Sequence, residues 1–451
     1  MTGGANGAVE ELRRSLAGSL VLPHDPDYDA ARRCFNALVD RRPTVIARCA
    51  GAPDVATAFD YARAHGLQVA VRGGGHNPAG HCVLDDGLVI DLSPLRRVDV
   101  DADARVARSE GGATWLDFDA ATQARGLVTP GGIVGSTGVA GLTFGGGIGH
   151  LTAQHGLTCD NLLAAELVTP AGEVVRASAD ENPDLLWGLR GGGGNFGVAT
   201  RLEFRLHPLE RVTGGRLVVR GDGVAEALRR YRDLVAHSPR ELSCQAVLTV
   251  DEAMTPVLVV LPCHTGPDDV PRELAQLRSL PGVVEDTVRP QSFLDQQGMI
   301  DSAYGENRHY WKGHFVRELP DELLDDLLAR LLAFGRPPGD ILLESLHGAP
   351  KDVDSDGALG FRGAAFNVSA TATWRDAGDD EEHIRWARDT ATALEPWSHS
   401  GGGYVNYMQA DEPLERVRAA FGAEAFDRLQ ALKRRYDPKN VLRRNQNIPP
   451  R

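Results

Sequence analysis

The 51 glycines of this 451-residue chain are bunched rather than spread, and the bunching constrains its fold more than any other feature. They gather at Gly73-Gly74-Gly75, through GGIVGSTGVAGLTFGGGIGH (131–150), at Gly191 to Gly194 and again at Gly401-Gly402-Gly403. A residue without a Cβ lets the main chain adopt positive φ and approach another surface closely, so each run marks backbone that must lie against something. The stretch 131–150 carries too many glycines to hold regular structure unaided and is expected to be a loop wrapped around a ligand.

Between the glycine runs the chain alternates helix and strand. Residues 53–66 read as an amphipathic helix opened by Pro53 and stopped by Gly66, followed by a strand from Leu67 to Val71 that feeds directly into VRGGGHN. A second apolar run, Leu88 to Leu92, ends at Ser93-Pro94, and a helix is expected from Thr114 to Arg125. AELVTPAGEVVRA reads as a hairpin turning at Pro170-Ala171-Gly172, and DLLWGL as a short helix. The strand VATRLEFRL then places Val198, Thr200, Leu202, Phe204 and Leu206 on one face.

Near Pro208 the texture changes: glycine clusters stop, and longer helices (VAEALRRYRDLVAHS, DELLDDLLARLLAFG) alternate with strands (PVLVVLP, GDILLESL) until about residue 400. A chain of this length exceeds one ordinary core, so the change reads as a second lobe. GGGYVNYM then restores the first style, and the amide-rich tail YDPKNVLRRNQNIPP suits docking on a polar ligand.

The formal net charge of −14 argues against a general nucleic-acid binder. No apolar run is long enough for a membrane span, and the first residues do not read as a secretory signal, so a cytoplasmic protein is expected. The six cysteines form no CxxC pair, which disfavours a zinc site or a disulfide framework.

Taken as residues alone, VRGGGHN between a strand and a polar stretch is either a nest of backbone N–H groups for a pyrophosphate or a flexible turn. It is not GxGxxG opening a helix, so a Rossmann dinucleotide site is poorly supported. His76 within it could be nucleophile, base or simply a hydrogen-bonded surface residue; a metal role lacks partners at ligand spacing, His81 included, so no metal is expected.

Five segments in order, VRGGGHN, GGIVGSTGVAGLTFGGGIG, HGLTCDNLL through GGGGNFGVAT, YVNY and YDPKNVLRRNQNIPP, make the whole chain resemble the berberine-bridge-enzyme-like FAD-linked oxidases of the vanillyl-alcohol-oxidase superfamily. The resemblance implies an α+β fold. Residues 1–210 would form a two-lobe PCMH-type FAD-binding domain and 211–400 a substrate domain with an antiparallel sheet backed by helices. Residues 401–451 would return to the FAD domain. It implies FAD bonded covalently through His76, with Arg72, Gly73, Gly74, Gly75, His76 and Asn77 around the pyrophosphate. Ser136, Thr137, Gly138, Gly141, Gly145, Gly146 and Gly147 would lie along the ring system and ribityl chain, Gly194 and Val198 on the adenosine side, and Asn406, Asn445 and Gln446 near the flavin. Two departures stand out: Val134 falls where members with a second flavin bond carry cysteine, and Thr137 where oxidases often carry valine; Cys159 is expected to be a packing residue.

The same resemblance points to Tyr407 of Tyr404-Val405-Asn406-Tyr407 as catalytic base, with Tyr404 beside it. A phenol titrating near about 10 needs a cation or donor to act as a base at neutral pH; Lys312 and Arg362 are the candidates. Glu344, on a substrate-domain strand, ranks below Tyr407, because strand alternation alone allows it to be solvated. The expected activity is oxidation of a small alcohol, sugar or other secondary metabolite by hydride transfer to flavin N5, with oxygen as acceptor, in a monomer or homodimer. The alternatives are a dehydrogenase using another acceptor and a flavin-binding protein whose catalytic groups have decayed.

Overall fold

A computed structural model describes residues 3–267, 272–301, 307–352 and 356–451. The glycine-rich half builds a four-stranded and a five-stranded sheet, with a two-stranded pairing of Leu127–Val128 and His207–Pro208 beside them. Val69–Arg72 and Val45–Arg48 flank Leu88–Asp91 in parallel, and Ser19–Val21 closes that four-stranded sheet. A five-stranded antiparallel sheet has Val198–Arg205 at its centre, between Val106–Glu110 and Leu162–Val168. The alternation read along this central strand holds: Val198, Thr200, Leu202, Phe204 and Leu206 are buried, and Arg201 and Arg205 exposed. The helix Trp115–Gln123 starts at a Thr114 cap whose side chain and Asp117 satisfy each other's neighbouring N–H groups.

One expectation is corrected here. The stretch 131–150 is not wholly loop, because Val139–Phe144 forms a helix within it. Val139, Ala140 and Phe144 are buried in the core with Trp115 and Phe204, and this packing outweighs the poor helix propensity of the surrounding glycines.

Residues 212–374 supply all the strands of a nine-stranded antiparallel sheet. Its strands Leu242–Val250, Gly339–Ser345, Phe366–Trp374 and Arg308–Val316 lie side by side in that order. One face carries Leu242, Cys244, Ala246, Ile341, Leu343, Val368 and Ala370, covered by the helices Val224–Ala236, Asp321–Ala333 and Asp380–Leu394. The period of two therefore sends Gln245, Leu342, Glu344, Asn367, Thr371, His309 and Trp311 to the other face, toward the glycine loops. No helix among the described residues is long and apolar enough to cross a membrane.

Candidate active site

A deep cavity opens between the glycine loops, the YVNY segment and the inner face of the large sheet. Its wall takes in Gly73, Gly74, Gly75, His76, Asn77, Thr137, Gly138, Gly141, Gly145, Gly194, Val198, Tyr404, Asn406, Tyr407, Asn445 and Gln446, with Trp311, Leu342 and Thr371 from the sheet. The glycines have two distinct duties. A Cβ on Gly74 would collide with the backbone of Gly138, so these two loops touch only because both lack side chains, whereas one on Gly141 or Gly194 would meet nothing within 4 Å and face open space. Polar groups also line this space unmatched: Arg444 Nε and Asn445 Oδ1 are buried with no hydrogen-bond partner among the described residues. A long, open cleft walled by bare backbone and unspent polar atoms fits an extended polar cofactor such as FAD.

Several expected contacts lie elsewhere. Ser136, Arg72, Gly146 and Gly147 are not on the cavity wall. The Arg72 guanidinium donates to the carbonyls of Ala31 and Arg33 and braces that segment. Gly146 and Gly147 adopt φ of +116° and +85° to pack against protein: Gly147 N–H donates to Tyr404 Oη at 2.9 Å, and a Cβ on Gly147 would strike Thr158. Tyr404 Oη also accepts from Asn406 Nδ2 at 2.9 Å, and burial pushes its phenol well up. Tyr404 thus ties the glycine loop to the C-terminal segment.

The cations proposed to assist Tyr407 are committed to other partners. Lys312 pairs with Glu412 at 2.6 Å and Arg362 with Asp160 at 2.5 Å. Lys312 misses the cavity because it alternates with Trp311, whose side of the strand faces the wall. Tyr407 instead donates to Glu344 Oε1 at 3.1 Å, while Asn367 Nδ2 donates to Glu344 Oε2 at 2.6 Å. Far from being solvated, Glu344 is 0% exposed. Burial raises its carboxyl to about 7, the two hydrogen bonds opposing part of that rise. Register explains the placement: Gln245, Glu344 and Asn367 stand directly opposite one another across three strands.

His76 stacks on Phe35, ring centroids 4.0 Å apart. Burial lowers its imidazole to about 4, so it is neutral near pH 7. Val134 lies on the cavity wall, while Cys159 does not; Cys159 is fully buried with its thiol pushed up by burial. Neither Phe35 nor the buried His309 on which Phe35 also stacks carries a motif that the sequence offers.

Comparison with known proteins identifies the family. Residues 43–178 match the FAD binding domain family, and residues 403–449 the berberine and berberine-like family. The chain is 32% identical over 450 residues to (R)-6-hydroxynicotine oxidase of Paenarthrobacter nicotinovorans, covering 97% of both chains. It is 39% identical to the FAD-linked oxidoreductase pgmH of Aspergillus terreus, covering 95% of this chain and 93% of that one. The crystal structure of 6-hydroxy-D-nicotine oxidase from Arthrobacter nicotinovorans superposes with a TM-score of 0.89 at 30% identity, covering 97% of this chain and 99% of that one.

Proposed function

The chain belongs to the berberine-bridge-enzyme-like FAD-linked oxidoreductases, and from that premise we propose that it oxidises a small hydroxyl- or amine-bearing molecule, with Glu344 as base and Tyr407 as its hydrogen-bonding partner. The observation that carries this reading is the Tyr407–Glu344 pair: the Tyr407 phenol stands on the wall of the glycine-lined cleft and the Glu344 carboxyl is buried directly behind it, off the wall. Bound FAD would supply the two-electron acceptor, and the neutral His76 on the cleft wall would hold it covalently. The loops of Gly73 to Asn77 and Gly138 to Gly141 would cradle it, and Asn445 and Gln446 would meet its polar edges.

The ionised Glu344 accepts the proton from the substrate hydroxyl or ammonium, which favours departure of hydride from the adjoining carbon. Tyr407 donates to the carboxylate and holds it in place, and Trp311, edge-on to Tyr407 at 5.2 Å, walls the site against water. Molecular oxygen is the proposed final acceptor; Thr137, on the cavity wall, is a departure from the valine that oxidases often carry there and does not itself argue for oxygen. The retained acid–phenol pair favours an active enzyme over a decayed flavin carrier. A cytoplasmic location and a monomer or homodimer complete the reading.

The test is anaerobic bleaching of the flavin by a library of small alcohols, sugars and cyclic amines, followed by air. A substrate that bleaches it and rapid recovery in air are expected. Bleaching with very slow recovery would make the protein a dehydrogenase using another acceptor, and no bleaching by any class would sink the catalytic reading.

pH dependence follows from Glu344. The rate of flavin reduction is expected to rise as pH increases through about 7 and then level off, because the base must be ionised. Stability moves oppositely. The raised carboxyl contributes stability fully below the ordinary carboxylate range, and this is lost as pH rises through about 7. Rapid-mixing reduction across pH 5.5–8.5 (a range of about three units, centred on the raised value) checks the first half, and a flat profile would contradict it.

A further inference from the structure

We propose that Phe35 is a positioning residue for the His76–flavin bond, setting the plane of the His76 imidazole as the middle ring of a column that ends in His309. The inference rests on the reading that His76 carries the flavin covalently. Phe35 lies 4.0 Å from His76 with 21° between planes, and 4.5 Å from His309 with 11° between planes. Trp311 closes the column edge-on, 5.7 Å from Phe35 and 5.9 Å from His309.

The column is pinned from both sides by the residues next to Phe35. Asn36, 0% exposed, donates to Pro78 O at 2.6 Å and to His309 O at 2.7 Å, and its Oδ1 accepts from His309 N–H at 2.8 Å. Phe35 N–H donates to Gly75 O at 3.0 Å and Ala37 N–H to Asn307 O at 2.9 Å. His309 Nδ1 is within 3.1 Å of Thr373 Oγ1, which fixes the far ring. Segment 35–37 is therefore stitched to the glycine loop on one side and to the strand Arg308–Val316 on the other.

Stacking suits this task because an imidazole's nucleophilic lone pair lies in the ring plane. A ring laid on its face fixes the tilt and leaves the lone pair free to attack. In the reaction a nitrogen of His76 bonds to the flavin 8α carbon; one proton leaves that carbon and one leaves the imidazole. The electron pair so released reduces the ring system, and molecular oxygen takes it up as hydrogen peroxide. A bond of this kind depends on the angle of approach, which is what the column controls.

The experiment follows covalent incorporation over time in the purified proteins with excess FAD, as flavin retained in the acid-precipitated pellet, alongside total bound FAD and melting temperature. Phe35→Leu keeps an apolar side chain but no plane. It is expected to slow covalent incorporation by at least ~10-fold, the scale on which misplacing one reacting group acts, with bound FAD and melting temperature retained. Phe35→Tyr should restore the wild-type rate, and His309→Leu, the second variant, should slow it in the same direction. Wild-type rates in both leucine variants would overturn the inference while leaving the covalent bond standing. Equal loss of covalent and non-covalent FAD, or a slow Phe35→Tyr protein, would reduce Phe35 to packing and overturn it too. A wild-type pellet without flavin would overturn the covalent reading itself, and the inference with it.

Discussion

Glu344→Gln is expected to slow flavin reduction by at least ~100-fold, the usual scale for losing a positioned base, while the protein folds and keeps its flavin. The amide is nearly isosteric: its oxygen can still accept from Tyr407, and its NH2 group can donate to Asn367 once that amide flips to present Oδ1, so neither contact need be lost. What it cannot do is take a proton at neutral pH. Stability should not fall, because the substitution removes an acid whose ionised form is opposed by burial. Tyr407→Phe deletes the donor but leaves the carboxylate, and should slow reduction by a smaller factor, roughly 10-fold. Anaerobic rapid-mixing kinetics on both variants decides between them. The opposite ranking would return the base to the phenol, where the family resemblance places it.

Lys433→Met is expected to destabilise the protein by about 3–5 kcal/mol, the cost of leaving one charge of a buried pair without its partner. Lys433 is completely buried in the helix Ala423–Tyr436. Its ammonium donates to Asp437 at 2.7 Å, to Leu442 O at 2.8 Å and to Asn195 O at 2.9 Å. One side chain thus holds the helix end, the amide-rich tail and the loop after Gly194 in a single arrangement, and the cofactor cleft draws wall residues from the last two. Without it the Asp437 carboxylate keeps only the N–H groups of Val441 and Leu442. Thermal unfolding should show a large drop, together with weaker retention of any flavin not covalently held. Lys433→Met combined with Asp437→Asn should recover part of the loss, because the second change removes the stranded charge. A melting temperature within a degree or so of wild type (about the shift of a few tenths of a kcal/mol) would show that the latch matters little.

These residues also show how far the sequence could be read. Bunched glycines located the cofactor cleft, since a missing Cβ is visible in sequence and its consequence, close backbone approach, is local. The alternation from Val198 to Leu206 gave a buried face for the same reason. Glu344 is the opposite case: alternation says only that it shares a face with Leu342. Which face turns inward depends on Gln245 and Asn367 standing beside it, and these are about a hundred and about twenty residues away. Lys312 looked like a cation for Tyr407, but one step of strand register turns it to Glu412 and gives Trp311 the cavity. The helix Val139–Phe144 stayed hidden because its stability comes from burial against Trp115 and Phe204 rather than from its own propensity. Phe35 and His309 meet only in the folded chain, across 274 residues.

Peptide mapping of the purified protein after denaturation and proteolysis, read by flavin absorbance and mass, tests the central claim most directly. The claim is that the glycine-walled cleft holds one FAD, bonded to the neutral His76 and to nothing else. Val134 stands on the cavity wall and offers no nucleophile, and Cys159 is buried away from it. The account predicts one flavin-bearing peptide containing His76, carrying the mass of a single FAD, and complete release of flavin from His76→Ala on denaturation. A flavin-bearing peptide containing Cys159, or wild-type protein that releases all its flavin, would contradict it.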